Sequence, residues 1–263
     1  MSQSAASTAL QGLESLYNVT LFERSGNKLA LSRIGQSLRR DAEALLEHAR
    51  AFENQLNAHE AVGHLKVGAS FTIGNHLASR FVATYMTIYP DADVELEIAN
   101  TPEVVAKVLN YDVDIGMIEG EIRNKDLELV PWMEDELVVF CAASHPLAKK
   151  RSLTARDIHS ARWILREPAS GARQTFDRAM AKDLDKIDVF LEFRHNEAIK
   201  NAVETGLGVG CLSRLVLHKN FANGDLVPLA IPRRDMHRTF YFVLPRQRYA
   251  KAAVAAWMKI CQS

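Results

Sequence analysis

Three stretches set hydroxyl side chains where a helix is about to begin. Ser70-Phe71-Thr72-Ile73, Asn100-Thr101 and Ser170-Gly171-Ala172-Arg173 each follow an apolar, strand-like run and precede a helical pattern. Helix N-termini carry free backbone N–H groups and the positive end of the helix dipole, so such entries bind anions. In open α/β folds these loops gather at the carboxyl ends of the strands. Ser70, Thr72, Thr101, Ser170 and Asn196 are therefore expected to line a cleft for a small anion, with Arg166 or Arg173 neutralising it. A single Ser or Thr in such a place is more often only a cap. The convergence of three loops favours the cleft. Glu119 ends a strand ahead of Gly120. It is placed to accept a ligand hydroxyl or ammonium, to make an anion site selective by repulsion, or simply to form an ion pair with a neighbour.

Catalytic patterns are not found. His145, His159, His195, His218 and His237 are scattered, with no HExxH and no nucleophile elbow. Asp112 and Asp114 stand i, i+2 at a strand start without a second acid placed by sequence. No enzyme activity, metal or cofactor is expected, although triads do assemble from distant residues. Gly206-Leu207-Gly208-Val209-Gly210 follows a helix and precedes a strand, the wrong order for a dinucleotide-binding turn. Gly206 reads instead as the glycine just past a helix end. Cys141, Cys211 and Cys261 have neither metal-ligand nor redox spacing, which fits reduced thiols in a cytoplasmic protein. The polar start suggests no signal peptide, and no apolar run approaches the ~20 residues of a membrane helix.

The elements that would hold these residues fall into three regions. The chain has 263 residues, enough for one large or two modest domains. From residue 62 to 263, strand and helix patterns alternate, which implies α/β with a mainly parallel sheet in two lobes. Strands are expected at Leu65–Ala69, Asp93–Ile98, Val113–Ile118, Leu137–Cys141, Trp163–Leu165, Gly208–Leu212 and Tyr241–Leu244. Helices are expected at Asn75–Tyr89, Pro102–Leu109, Asn196–Thr205 and Ala250–Cys261. Residues 32–61 read as one long helix. Leu38, Ala42, Leu45, Ala49, Phe52 and Leu56 are spaced 4, 3, 4, 3, 4, a heptad seam. The helix either packs on its own domain or pairs with a second chain; the sustained 3.5 period favours the pair. Residues 1–31 read as a helix with Ala6, Leu10, Leu13 and Leu16 on one face and Ser2 or Ser4 as cap, then a hairpin turning at Ser25-Gly26-Asn27. One helix and one hairpin bury little core. A formal net charge of +0 gives no electrostatic argument for nucleic acid.

In this order the motifs resemble LysR-type transcriptional regulators. Ser2 to Ser7 and Leu10 to Glu14 look like the recognition helix of that family, and Leu21-Phe22-Glu23-Arg24 like the first strand of its wing. Leu31 to Gly35 resembles the opening of its dimerising linker helix. Asp114 to Gly120, Glu134 to Phe140, His145-Pro146-Leu147-Ala148 and Gly206 to Gly210 look like effector-domain signatures. Trp163 to Arg173 and Asn196 to Val203 are similar to the branch holding YeiE-like regulators and those of carbon and sulfur assimilation.

The resemblance implies a partial winged helix-turn-helix (1–31), a dimerising linker helix (32–61) and a two-lobed effector domain of periplasmic-binding-protein type (62–263). The family has two further helices ahead of this recognition helix. The chain as written is expected to hold only the later part of that module. Gln3, Ser4, Ser7, Thr8 and Gln11 would face bases, and Arg24 and Lys28 on the wing would meet phosphate. The plain alternative is a solvated polar helix. The implied partners are promoter DNA, provided the earlier helices exist, a small anionic effector, and copies of the chain as dimer or tetramer; no membrane is implied. A second expectation is an effector-binding, oligomer-forming protein without specific DNA binding.

Overall fold

The computed structural model describes residues 3–25, 28–56, 63–120, 122–246 and 251–263. The chain divides into two compact units, with the boundary between Ala58 and His59.

The front unit opens with α1 (Gln3–Tyr17). The strands β1 (Phe22–Ser25) and β2 (Lys28–Leu31) pair antiparallel, from Phe22 opposite Leu31 to Ser25 opposite Lys28. The expected turn residues Gly26 and Asn27 lie outside the described residues. Glu14 ties the helix to this hairpin: one carboxylate oxygen accepts the backbone N–H groups of Leu21 at 2.6 Å and Phe22 at 3.1 Å. The long helix α2 runs Arg33–Leu56. Ser32 caps it: its hydroxyl donates to the Thr20 carbonyl at 2.5 Å and accepts from the Gly35 N–H at 3.0 Å. Gly35 has no room for a side chain, because a Cβ there would overlap the Leu21 carbonyl. Ser4, expected as a possible cap of α1, lies inside the helix instead, its carbonyl accepting from the Thr8 hydroxyl at 3.0 Å. Ser2 lies outside the described residues, as do 57–61 at the end of the expected long helix.

The second unit is built on nine strands in the order β4-β3-β5-β11-β6-β9-β7-β8, with β10 added beside β6. On one side lie β3 (Leu65–Ser70), β4 (Val94–Ala99), β5 (Ile115–Glu119) and β11 (His237–Pro245). On the other lie β7 (Arg162–Arg166), β8 (Asp188–Phe193), β9 (Val209–Ser213) and β10 (Leu226–Leu229). The 16-residue strand β6 (Leu127–Ala142) belongs to both. Its residues 127–136 pair with β11, and its residues 137–142 pair with β9 and β10. Two lobes thus share one strand.

Parallel pairs such as β3–β4 and β7–β8 demand crossover helices. In the first lobe a helical stretch follows β3: α3 (Phe71–Ile73), one π-helical turn (Gly74–Ala78) and α4 (Ser79–Ile88). Then α5 (Thr101–Leu109) covers the opposite sheet face. In the second lobe α6 (Ala155–Ser160) and α7 (Gly171–Ala179) pack one face. The other face is covered by α8 (Asn196–Glu204) and α9 (Arg214–Asn223). The last helix, α10 (Ala252–Cys261), returns to the first lobe, where Trp257 is fully buried. Gly206 follows α8 with φ +81°, a left-handed value that glycine takes without strain.

The sequence pattern misses most of β6 and all of α6, β8, α9 and β10. Acidic residues interrupt β6 at Glu128 and at Glu134-Asp135-Glu136, so only its apolar half stands out.

Candidate functional site

Ser70, the last residue of β3, is extended (φ −67°, ψ 159°) and makes no side-chain cap bond to the helix that follows. Its hydroxyl donates instead to Glu119 Oε1 at 3.0 Å, and the Thr72 backbone N–H donates to the same oxygen at 2.9 Å. The helix start that was expected to hold a ligand anion therefore holds the chain's own carboxylate. Ser70, Thr72 and Glu119 are each at most 2% exposed.

The second oxygen of Glu119 accepts from Arg238 Nη1 at 2.6 Å. Arg238 also donates through Nε to Asp135 Oδ2 at 2.7 Å, and Asp135 Oδ1 accepts from the Ser213 hydroxyl at 2.7 Å. This chain of contacts runs from β3 and β5, through β11 and β6, to the end of β9 in the other lobe. Burial pushes the Glu119 carboxyl up, and Arg238, the hydrogen bonds from Thr72 and the nearby Arg166 more than reverse it, leaving it below the ordinary range. For Arg238, burial opposes the charge, and Glu119 and Asp135 hold the guanidinium protonated more firmly than usual. Its Nη2 is buried without a hydrogen-bond partner among the described residues.

Arg166, the last residue of β7, is 2% exposed. Its guanidinium forks onto Glu167 at 2.9 and 3.1 Å and donates Nη1 to Asn196 Oδ1 at 2.9 Å. It also lies over the Phe71 ring, 5.2 Å from the centroid, and the His195 ring meets Phe71 edge-on at 5.1 Å. Phe71 thus brings the β3 loop of one lobe against the β7 and β8 loops of the other. Asn196 is 4% exposed and its Nδ2 has no partner among the described residues. Buried donors left unpaired are costly and mark places where an acceptor belongs.

Ser170 caps α7 by accepting from the Arg173 N–H at 3.0 Å. Gly171 beside it lies so close to Glu119 that an added Cβ would come within 2.8 Å of the Glu119 Cβ. Ser70, Thr72, Glu119, Arg166, Ser170 and Asn196 consequently form one group between the lobes. Thr101 is buried at the start of α5, whose cap is Asn100 accepting from the Glu103 N–H at 2.9 Å. It makes no hydrogen bond to the group. Arg173 also departs from expectation. Its Nε binds Asp177 at 2.9 Å, and its Nη1 binds Glu192 at 2.5 Å and the Arg166 carbonyl at 3.1 Å. Its charge is engaged by Asp177 and Glu192, away from the group, whereas Arg166, itself paired with Glu167, reaches Asn196 and Phe71.

Arg238, Asp135 and Ser213 escape the reading of the sequence. A signal was present: Arg238 alternates in register with Phe240 and Phe242 along β11, so it must share their buried face.

In the front unit, Ser4, Ser7, Thr8 and Gln11 are exposed along α1. Gln3 begins that helix, while Arg24 and Lys28 lie on β1 and β2 next to the turn; the side chains of these three lie outside the described residues. Leu13 and Leu16 are 47% and 74% exposed, so the apolar face of α1 is uncovered within this chain. Among the described residues no cluster fits a metal ion, and no helix is long and apolar enough to cross a membrane.

The described residues thus form a helix followed by a hairpin and, separately, a two-lobed domain with a polar group between its lobes. Residues 1–36 match the bacterial regulatory helix-turn-helix protein family, lysR type, and residues 58–263 match the LysR substrate binding domain. The chain belongs to the LysR family of transcriptional regulators. It is 38% identical over 261 residues to the HTH-type transcriptional regulator YeiE of Escherichia coli (strain K12), covering 99% of this chain and 88% of that one. Its fold is similar to full-length OxyR from Pseudomonas aeruginosa, with a TM-score of 0.80 at 21% identity, covering 99% and 86% of the two chains. The Synechocystis CcmR regulatory domain in complex with 2-PG aligns with a TM-score of 0.69 at 24% identity, covering 76% of this chain and 96% of that one.

Proposed function

We propose that this LysR-family chain is a one-component regulator that reads promoter DNA and answers to a small anionic effector held between its lobes. The observation that carries the effector reading is the interlobe group itself. Arg166 and the unpaired Nδ2 of Asn196 come from one lobe and face Ser70, Thr72 and Glu119 of the other. An anion entering there would compete for Arg166 against Glu167 and would supply Asn196 with an acceptor. Because Glu119 already fills the start of the first-lobe helix, the ligand's negative oxygens belong on the Arg166 side. Thr101 borders the site, and Arg173 supports it through the Arg166 carbonyl. A sulfur oxyanion or a small carboxylate meets these demands equally.

In this reading residues 1–31 form the DNA-reading part, 32–61 the linker helix and 62–263 the effector domain. Gln3, Ser4, Ser7, Thr8 and Gln11 face base edges, with Arg24 and Lys28 on phosphate. Paired α2 helices pass a change in the lobes to paired recognition helices and so alter half-site spacing. The assembly is a dimer or a tetramer built from dimers in the cytoplasm, and it has no turnover chemistry. The uncovered Leu13 and Leu16 favour one further reading, an effector-binding, oligomer-forming protein without specific DNA binding.

Thermal denaturation with sulfite, sulfate, phosphate and small carboxylates tests the effector. A ligand at 100 times its Kd stabilises by about 2.7 kcal/mol, a rise of several degrees in Tm. A flat Tm across all of them would sink the anion reading. Selection of bound fragments from random DNA separates the two readings of the front unit: an enriched motif supports the regulator, and none supports the alternative.

A further inference from the structure

A groove of about 1040 Å³ opens between the lobes, beside the start of α4 and the helices α8 and α9. None of Ser70, Thr72, Glu119, Arg166 and Asn196 lines it, so it is separate from the interlobe group. Its size is at the upper end of small-molecule sites. One wall is the π-helical turn and the start of α4, with Asn75, His76, Ser79 and Arg80. The other wall carries Lys200 of α8 and Lys219 of α9. The shared strand β6 gives the floor, with Glu134, Asp135 and Glu136. Asn75, Ser79, Arg80 and Lys219 are exposed and His76 is half-buried, so these polar groups are open to a solute.

Four arginines and lysines and four carboxylates line the groove, which is neutral by formal charge. The carboxylates are all engaged. Asp135 accepts from Arg238 at 2.7 Å, Glu136 from Arg214 at 2.8 Å, Glu197 from Lys200 at 2.7 Å, and Glu134 from the Thr239 hydroxyl at 2.9 Å. Arg80 and Lys219, one from each lobe, form no ion pair with a described residue. The two walls also feel one another. Burial, and after it Lys200, holds the His76 imidazole below its ordinary range; Lys219 adds to this, and Glu197 and Glu119 oppose it. A neutral His76 keeps a ring N–H to donate. We propose that this groove is a second ligand site, taking a polyanion of linked phosphate groups that bridges Arg80 of the first lobe and Lys219 of the second. Asn75, His76 and Ser79 donate to its oxygens. Two joined negative centres are needed because the two unclaimed cations stand on different walls, and an anion between them removes their mutual repulsion.

Isothermal titration of the full chain with inorganic triphosphate at about 50 mM salt tests this, with inorganic monophosphate as the single-centre comparison. Saturable binding with a Kd below about 1 mM is expected for triphosphate, at least about tenfold tighter than for monophosphate. Arg80→Ala and Lys219→Ala, both at exposed positions, should each weaken triphosphate about tenfold and leave the Tm of the unliganded chain nearly unchanged. Absence of saturation up to about 5 mM in the wild type would overturn the proposal. So would wild-type affinity in both variants, which would assign the binding to another basic surface. A loss in one variant alone would confine the anion to one lobe and overturn the bridge.

Discussion

Arg238 is the residue that two buried carboxylates depend on. Among the described residues Glu119 and Asp135 have no other cation in hydrogen-bond contact, and breaking a buried pair by removing one partner costs about 3–5 kcal/mol. Arg238→Met should lower the unfolding free energy obtained from urea titration by that much, where a surface Arg→Met change such as one at Arg214 moves it little. The linkage with pH has a definite sign. The Glu119 carboxyl is held below its ordinary 4.5 in the folded chain, so its stabilisation is complete above that pH and is lost as pH falls through the folded value. Glu119→Gln should therefore be less stable than the wild type at neutral pH, and the gap should narrow below pH 4.5 in urea titrations. The three thiols are also settled at this scale. Burial pushes Cys141 up to about 11 and Cys211 and Cys261 up to about 12. A thiol-disulfide reagent near about pH 8 should leave all three unmodified in the folded protein and label them only in denaturant.

At the scale of elements, α2 carries the clearest unfinished surface. Leu38 and Leu45 on the heptad seam are 46% and 68% exposed within one chain. A long helix with an uncovered apolar stripe needs a partner, and in the proposed assembly that partner is a second α2. Replacing Leu38 and Leu45 together by Glu should shift sedimentation to a smaller species; an unchanged mass would place the interface elsewhere. The start of the same helix rests on Ser32, whose hydroxyl bridges Thr20 and Gly35. Ser32→Ala should cost the front unit about 1 kcal/mol in thermal unfolding. The π-helical turn after β3 belongs here as well. Gly74 packs so tightly on Ile98 that an added Cβ would lie 2.8 Å from its Cγ1, so the helix leaving Ser70 and Thr72 is fixed against β4.

For the whole molecule, the decisive feature is that one strand serves both lobes. Glu119, Arg238, Asp135 and Ser213 follow that strand across the boundary, so anything that disturbs the interlobe group acts on the join itself. Phe71, beneath Arg166, is a second contact between the lobes. An effector that draws Arg166 away from Glu167 would change both lobes at once. Phe71→Ala should weaken affinity for the effector about three- to tenfold, as a cation–π contact of roughly 1 kcal/mol is lost, while the urea midpoint of the unliganded protein falls as for any half-buried truncation.

Periodicity and order determined much by themselves. Period-2 runs with crossover helices between them gave the α/β class, because a strand's faces and a helix's stripe follow from backbone geometry alone. The helix starts at Ser70, Thr101 and Ser170 were legible for the same reason, as the change from strand to helix pattern is local, although of the three only Ser170 caps its helix. What could not be read was which charges would meet. Glu119 and Arg238 are separated by 119 positions, and Arg166 and Arg173 flank the same helix start in sequence. Only the tertiary fold gave Arg173 to Asp177 and Glu192, put Arg166 over Phe71, and set Glu119 where a ligand anion had been expected. Such pairings rest on Coulomb and hydrogen-bond terms that act over a few ångströms, and distance in space is settled by strand order, not by spacing along the chain.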